Sequence, residues 1–190
     1  MRFVVAPDSF KGSLMAWDVA QAISTGIQLA LPDAEIVALP IGDGGEGTAR
    51  ALAHAVPGAS MVPVTVSDPF GRPVRAEFAM LDTATAVVEM AAASGLGLLQ
   101  PAERDPMRAD TFGTGQLVAA ALDRLAMAAD PSRGKPPALY LAVGGSATVD
   151  GGMGMLAALG ARFWDRAGHP LAAFGGRSLA TIGTVDLSGL

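Results

Sequence analysis

The sequence contains no cysteine, and this absence excludes several classes of protein at once. A chain without thiols has no disulfide framework, no thiolate nucleophile and no thiolate zinc site. Histidine is scarce as well, because His54 and His169 are the only two, too few for a histidine-based metal cluster. Aromatic residues make up only 5% of the chain, so we expect a core built from Ala, Val, Leu, Ile and Met.

Long apolar runs and clustered positive charge are also missing. Gly, Pro or a charged residue interrupts every apolar run before it reaches the ~18 residues that a membrane-spanning helix needs. The opening apolar stretch breaks at Pro7, too early for a secretory signal, and we therefore expect a cytoplasmic protein. The 13 basic residues are scattered and the net charge is −5, which argues against a nucleic-acid surface. We therefore expect a protein that acts on a small molecule and has no nucleic-acid or membrane partner.

The order of the predicted elements indicates an α/β protein. A strand over 2–6, a helix over 14–31 with Ser13 as its cap and a strand over 35–40 form a β-α-β unit, which predicts a parallel sheet. A helix over 49–56 follows. The next strands come without helices between them, at 60–66, 73–81 and 84–90, with a turn at 68–71.

Alternation of strands and helices resumes further along the chain. It predicts a helix over 114–129, a strand over 138–143, a helix over 153–159 and strand segments at 161–165 and 184–187. The change of pattern near residues 57–60 predicts two lobes, residues 1–58 and 59–190. The last residues show no terminal pattern, so we expect the second lobe to be incomplete and the chain to be truncated.

Segments rich in Gly, hydroxyl and carboxylate residues are the candidates for chemistry. We number them in chain order, from the first to the fifth segment: 6–14, 41–48, 89–96, 110–117 and 144–152. Most of them join the end of a strand to the start of a helix. Ligands bind at that edge of open α/β sheets, and the free N–H groups of a helix amino end attract anions.

The first and second segments offer charge and flexibility. Lys11 could present a positive charge to an anion and Ser9 a hydroxyl, although a capped turn with a solvated Lys would look the same. The second segment has four Gly among six residues, and its Asp43 and Glu46 could hold Mg²⁺ or accept a hydroxyl proton. It matches neither the P-loop nor the GxGxxG pattern, and a plain glycine-rich connection is the alternative.

The third and fourth segments are ambiguous, whereas the fifth favours function. Glu89 ends a strand before small residues, which either leave room for a ligand or allow close packing. The fourth segment suits phosphate binding or simple helix capping. The fifth segment follows a strand directly and combines four Gly, two hydroxyls and Asp150, so it could wrap a polyanion and aim one carboxylate at it. Four arginines could bind a carboxylate, although exposed Arg is usually solvated: Arg72, Arg75, Arg104 and Arg108.

Together the segments APDSFKGSL, DGGEGT, EMAAASGL, TFGTGQL and GGSATVDGG resemble the two-domain bacterial glycerate kinases, in the same order and approximate spacing. The resemblance runs from Arg2 to Leu190. It implies a two-lobed α/β fold, a Rossmann- or flavodoxin-like parallel sheet plus a mixed lobe, with the active site in the cleft between them. The implied reaction phosphorylates D-glycerate to 2-phosphoglycerate with ATP and Mg²⁺. Family members are much longer, so we expect this chain to be the amino-terminal half.

The resemblance also implies roles for individual residues. As catalytic residues it implies Lys11, Asp43 and Asp150, and as metal ligands Asp43, Glu46 and Asp150. It implies that substrate or nucleotide is bound by Asp8, Ser9, Gly44, Gly45, Glu46, Glu89, Ser94, Thr114, Gly144, Gly145, Ser146, Thr148 and Gly151.

Two alternatives to an active glycerate kinase stay open. The first is a non-catalytic fragment that retains ligand binding, whose unfinished sheet would expose apolar surface and favour self-association into a homo-oligomer. The second is another glycine-loop phosphotransferase acting on a small hydroxy acid, because a fold alone does not fix a function.

Overall fold

The computed structural model of the chain describes residues 1–10, 12–128, 136–172 and 174–190. Its helices are α1 (Ala16–Ala30), α2 (Thr48–Ala55), α3 (Ala91–Ser94), α4 (Phe112–Ala128) and α5 (Met153–Ala158). Its strands are β1 (Arg2–Val5), β2 (Glu35–Ala38), β3 (Ser60–Ser67), β4 (Pro73–Asp82), β5 (Thr85–Glu89), β6 (Ala138–Ala142), β7 (Arg162–Asp165) and β8 (Ile182–Asp186). The predicted α/β class, with parallel and mixed sheets, is confirmed.

The first β-α-β unit forms as predicted. Strands β1 and β2 pair in parallel, and α1 connects them while it buries Ala16, Val19 and Ala20. The predicted Ser13 cap is wrong, since Met15 precedes the helix and no side chain caps it. Ser13 lies instead in a tight turn, where its N–H donates to the carbonyl of Phe10 at 2.8 Å.

The second sheet has the strand order β3-β4-β5-β6. The β3–β4 and β4–β5 pairs are antiparallel, and the β5–β6 pair is parallel. The predicted turn between β3 and β4 is confirmed, because the N–H of Gly71 donates to the carbonyl of Asp68 at 3.0 Å. The parallel register brings Glu89 opposite Ala142. The third and fifth segments therefore leave the sheet at the same edge.

Helices cover both faces of this sheet. On one face, α4 packs on the main core, which includes Phe78, Val88 and Leu117. On the other face, α2 contributes Ala49 to a smaller cluster with Ala79 and Val87. Successive strand residues alternate between faces, which is why neighbouring positions such as 78 and 79 belong to different clusters.

The remaining elements differ little from the prediction. A third cluster joins α5 to β7 through Met153, Ala161 and Phe163. The connection between β5 and α4, for which the sequence predicts no helix, contains α3 and two 3₁₀ turns. The strong helix formers Ala91–Ala93 account for α3. Element ends shift by at most two residues, and Ala129 at the predicted end of α4 lies outside the described residues. The lobe boundary near residue 58 stays a prediction. None of the helices in the described ranges has the length and hydropathy to cross a membrane.

Candidate functional site

Four of the five segments meet at one large cleft, with a volume of about 1210 Å³. The first and second segments contribute residues to its lining. The third and fifth segments add residues at the carboxyl ends of β5 and β6, and β4 adds Arg75, Ala76 and Glu77. From the segments, the lining takes Ser9, Phe10, Gly12, Ser13, Leu14, Asp43, Gly45, Glu46, Gly47, Ala91, Ala92, Leu96 and Gly145.

Glu89 in the third segment fixes the second segment in place. Its carboxylate accepts hydrogen bonds from the N–H of Gly47, at 3.1 Å, and from the N–H of Ala49. Gly47 has φ of 91°, a left-handed conformation that favours Gly, and it precedes the first turn of α2. Burial raises the pKa of Glu89, and the two N–H donors oppose the rise only in part. Glu89 thus acts as the cap of α2, which explains its place at the end of β5.

Backbone contacts tie the fifth segment to the second and third. The N–H of Gly144 donates to the carbonyl of Gly44 at 2.8 Å. A Cβ at position 144 would lie 2.7 Å from the nitrogen of Gly45, so only Gly allows this approach. The N–H of Leu96 donates to the carbonyl of Gly145 at 3.0 Å. The glycines of these loops therefore serve loop-to-loop packing as well as any ligand.

Asp150 joins the fifth segment to the fourth. It is only 1% exposed, and its Oδ2 accepts from the N–H and hydroxyl of Thr111, at 2.8 and 2.7 Å, and from the N–H of Gly154 at 3.1 Å. Its Oδ1 accepts from the N–H of Gly152 at 3.1 Å. The amino ends of α4 and α5 thus share one carboxylate, which does not line the cleft. The base and metal-ligand roles that the sequence predicts for Asp150 stay predictions.

Ser94 and Thr114 form a second buried contact between segments. Both side chains are fully buried, and their hydroxyl oxygens lie 2.8 Å apart. Neither residue lines the cleft. Their contact joins α3 to α4, and the ligand contacts that the sequence predicts for them stay predictions.

The hydroxyls of the fifth segment are turned toward each other. Ser146 Oγ lies 2.9 Å from Thr148 Oγ1 and accepts from the N–H of Thr148 at 3.0 Å. Neither residue lines the cleft, which Gly145 reaches with its backbone alone. The binding of a polyanion by this segment stays a prediction.

The predicted site residues divide into two groups. Those that line the cleft are Ser9, Asp43, Gly45, Glu46 and Gly145. Those outside its lining are Asp8, Gly44, Glu89, Ser94, Thr114, Gly144, Ser146, Thr148, Asp150 and Gly151. Lys11 lies outside the described residues. For all of these residues, a direct role in binding or catalysis stays a prediction.

The cleft also contains charged residues that the sequence analysis missed, namely Asp18, Arg50 and Glu77. Two signals pointed to them. Asp18 lies in the first turn of α1, directly after the first segment, and Arg50 lies in the first turn of α2, directly after the second. Glu77 and Arg75 are alternate residues of β4 and share one face of the sheet.

Charges in the cleft are only partly paired. Arg50 and Glu77 form an ion pair at 2.6 Å. Asp43 Oδ1 accepts from the N–H of Gly45 at 2.9 Å, which orients this exposed carboxylate. In the part of the chain that the structure describes, no cluster of three or more His, Cys, Asp or Glu residues could hold a metal ion by itself.

Comparison with known proteins identifies relatives along the whole chain. The model of the glycerate kinase family matches residues 3–190. A Bacillus subtilis protein named glycerate kinase is 45% identical, and the match covers 100% of this chain and 47% of the relative. An Escherichia coli protein named glycerate 2-kinase is 44% identical, with the same coverage. A crystal structure from Salmonella typhimurium, provisionally named glycerate kinase 2, superposes with a TM-score of 0.79 at 43% identity, over 100% of this chain and 48% of that one.

Proposed function

The chain belongs to the glycerate kinase family, and on that premise we propose that its cleft serves the ATP-dependent phosphorylation of D-glycerate to 2-phosphoglycerate. The chain spans about half the length of the curated relatives it matches, so the proposal concerns the chemistry of this cleft. The name glycerate 2-kinase, given to the relative from Escherichia coli, supports transfer to the 2-hydroxyl. The observation that carries the proposal is the meeting of the first, second, third and fifth segments at one cleft.

The glycines of the cleft fit the phosphates of a nucleotide. Gly12 and Gly145 both border the cleft and have positive φ values of 73° and 71°. A Cβ at Gly12 would meet no atom within 4 Å, so the space beside its backbone is open. Backbone N–H groups in such loops bind anions without a side chain. We assign the polyphosphate to this part of the cleft.

The carboxylates of the second segment fit Mg²⁺. Proteins usually bind this ion through one or two carboxylates together with phosphate oxygens, so the lack of a larger acidic cluster does not oppose its binding. Glu46 lies in the cleft and is exposed, and we assign it as the metal ligand. When bound, Mg²⁺ neutralises charge that develops on the transferred phosphoryl group.

Asp43 is the best placed residue to orient the acceptor hydroxyl. The N–H of Gly45 holds its Oδ1, which leaves Oδ2 pointing in a fixed direction from an exposed side chain. A carboxylate held in this way can accept the proton of the 2-hydroxyl as the hydroxyl oxygen attacks. Asp150 is a poorer candidate, because donors within the chain already occupy both of its oxygens.

An enzyme-coupled assay of ADP formation tests this proposal. The purified chain is mixed with MgATP and D-glycerate, and the Salmonella typhimurium relative serves as a reference. We expect ADP release that depends on D-glycerate, and ³¹P NMR should identify the product as the 2-phosphate. Tartronate as the preferred acceptor would favour the alternative of another hydroxy-acid phosphotransferase. Binding of glycerate and MgATP without turnover would favour a ligand-binding chain that is not itself catalytic.

The cellular setting follows from the same proposal. We propose that the protein is cytoplasmic, because the relatives that it resembles are bacterial proteins named glycerate kinase. Assembly into a homo-oligomer stays a prediction.

A further inference from the structure

Two arginines in the cleft point to the group that recognises the acceptor. We infer that Arg75 and Arg104 bind the carboxylate of the hydroxy acid and so distinguish it from an uncharged polyol. This inference rests on the proposed function, because it assigns a specificity role within the same cleft. Both residues line that cleft, one from β4 and the other from the loop after α3.

Arg75 has no counter-ion in the described part of the chain, because its nearest acidic neighbour on β4 is already bound. That neighbour is Glu77, two residues along on the same face of the strand. Arg50 from α2 pairs with Glu77 at 2.6 Å. The guanidinium of Arg75 is therefore left for a ligand.

Arg104 is in the same situation for a different reason. Its sequence neighbour Glu103 pairs with Arg72 at 2.7 Å and also accepts from the N–H of Gln100 at 3.1 Å. The ion pair with Arg72 lowers the pKa of Glu103, so this carboxylate stays ionised and stays bound to Arg72. Across the residues that the structure describes, Arg104 forms no ion pair of its own.

The chemistry of these side chains suits a carboxylate. A guanidinium presents its N–H donors as a planar fork that matches the two oxygens of a carboxylate. We assign the phosphates to backbone N–H groups of the glycine loops, so the phosphates do not need these arginines. Two cationic side chains can then hold the acceptor while the second segment orients its hydroxyl.

A binding experiment on the purified chain tests the inference without requiring turnover. Isothermal titration calorimetry measures the affinity for D-glycerate, glycerol and MgATP. The variants are Arg75→Gln, Arg104→Gln and Arg75→Lys, which keeps the charge but loses the fork. Arg124→Gln is the matched control, because Arg124 is exposed on α4 and does not line the cleft. All variants change exposed side chains, and thermal unfolding checks that their folds are intact.

We expect each Arg→Gln change in the cleft to weaken D-glycerate binding roughly tenfold to a hundredfold, the effect of losing a hydrogen bond between charged groups. Arg75→Lys should bind D-glycerate more tightly than Arg75→Gln does, and the Arg124→Gln control should bind it as the wild type does. Binding of MgATP should change by less than about threefold, because we assign the phosphates to the glycine loops.

The outcomes separate this inference from the proposed function. Unchanged D-glycerate affinity in both cleft variants would overturn the role of the arginines and leave the kinase proposal intact. Weaker MgATP binding with unchanged D-glycerate binding would also overturn it, and would assign the arginines to the phosphates. A wild-type chain that binds MgATP but neither D-glycerate nor another hydroxy acid would contradict both proposals.

Discussion

The carboxylate of Asp150 lies 2.7 Å from the hydroxyl of Thr111, and this buried hydrogen bond joins the fourth segment to the fifth. The same hydroxyl accepts from the N–H of Met155 at 2.9 Å, so the pair links the amino ends of α4 and α5. The buried carboxylate of Asp150 therefore fixes the carboxyl end of the glycine loop, although Asp150 itself does not line the cleft.

Removing this link should lower the stability of the chain. Asp150→Ala leaves several buried donors without an acceptor and should lower the free energy of unfolding by roughly 3 kcal/mol. Thr111→Val should cost about 1–2 kcal/mol. Because the two side chains contact each other, the double variant should cost less than the sum by about 1 kcal/mol, measured by urea unfolding. Strict additivity would contradict the contact.

Close packing at the start of α5 should make Gly154 hard to replace without loss of stability. A Cβ at Gly154 would lie 2.6 Å from the nitrogen of Phe112, so Gly154→Ala should cost about 1–3 kcal/mol through overpacking. Gly26 is the matched control, since it lies in α1 with no atom within 4 Å of an added Cβ. Gly26→Ala should stabilise the chain by about 0.5–1 kcal/mol, and thermal unfolding measures both changes. Equal effects at the two positions would refute the packing.

Burial of Glu89 should make the stability of the chain depend on pH. Its pKa is raised in the folded chain, so the folded state holds the proton more tightly than the unfolded state does. Stability from this group is complete below the ordinary value of 4.5 and is lost as the pH rises through the raised pKa. Glu89→Gln cannot lose a proton there. The free energy of unfolding of the wild type, minus that of the variant, should therefore fall across this window.

Denaturant unfolding at a series of pH values measures that difference. Comparison with Glu89→Gln cancels the contribution of the other carboxylates, including Asp110, whose pKa burial also raises. A difference that stays flat or grows with pH would show that the buried carboxylate is stabilised when ionised, contrary to our account.

Much of the fold could be predicted from the sequence because its signals are local. Apolar periodicity predicted β1, α1 and β2, and the turn at Asp68–Gly71 was evident from its residues. The prediction of Ser13 as the helix cap was wrong because a hydroxyl residue caps a helix only when it lies directly before the first helical residue. In this chain a tight turn intervenes, and α1 begins at Ala16.

The candidate site was predictable only in outline. Segments at the carboxyl ends of parallel strands were expected to meet, and β5 and β6 bring them together. The use of each carboxylate could not be predicted, because it depends on partners far along the chain. Glu89 accepts a hydrogen bond from Ala49, which lies 40 positions earlier in the chain. Asp150 accepts one from Thr111, which lies 39 positions earlier. The sequence could not predict either that Glu77 pairs with Arg50 from α2 and not with Arg75 on its own strand.

We propose that the cleft beside the second segment performs phosphoryl transfer to glycerate. The most direct measurement is glycerate-dependent ADP release by the wild type, by Asp43→Asn and by Asp123→Asn, a control on the exposed face of α4. We predict that Asp43→Asn lowers kcat by about 10²–10⁴ and that the control matches the wild type. Turnover by Asp43→Asn equal to that of the wild type would contradict the claim.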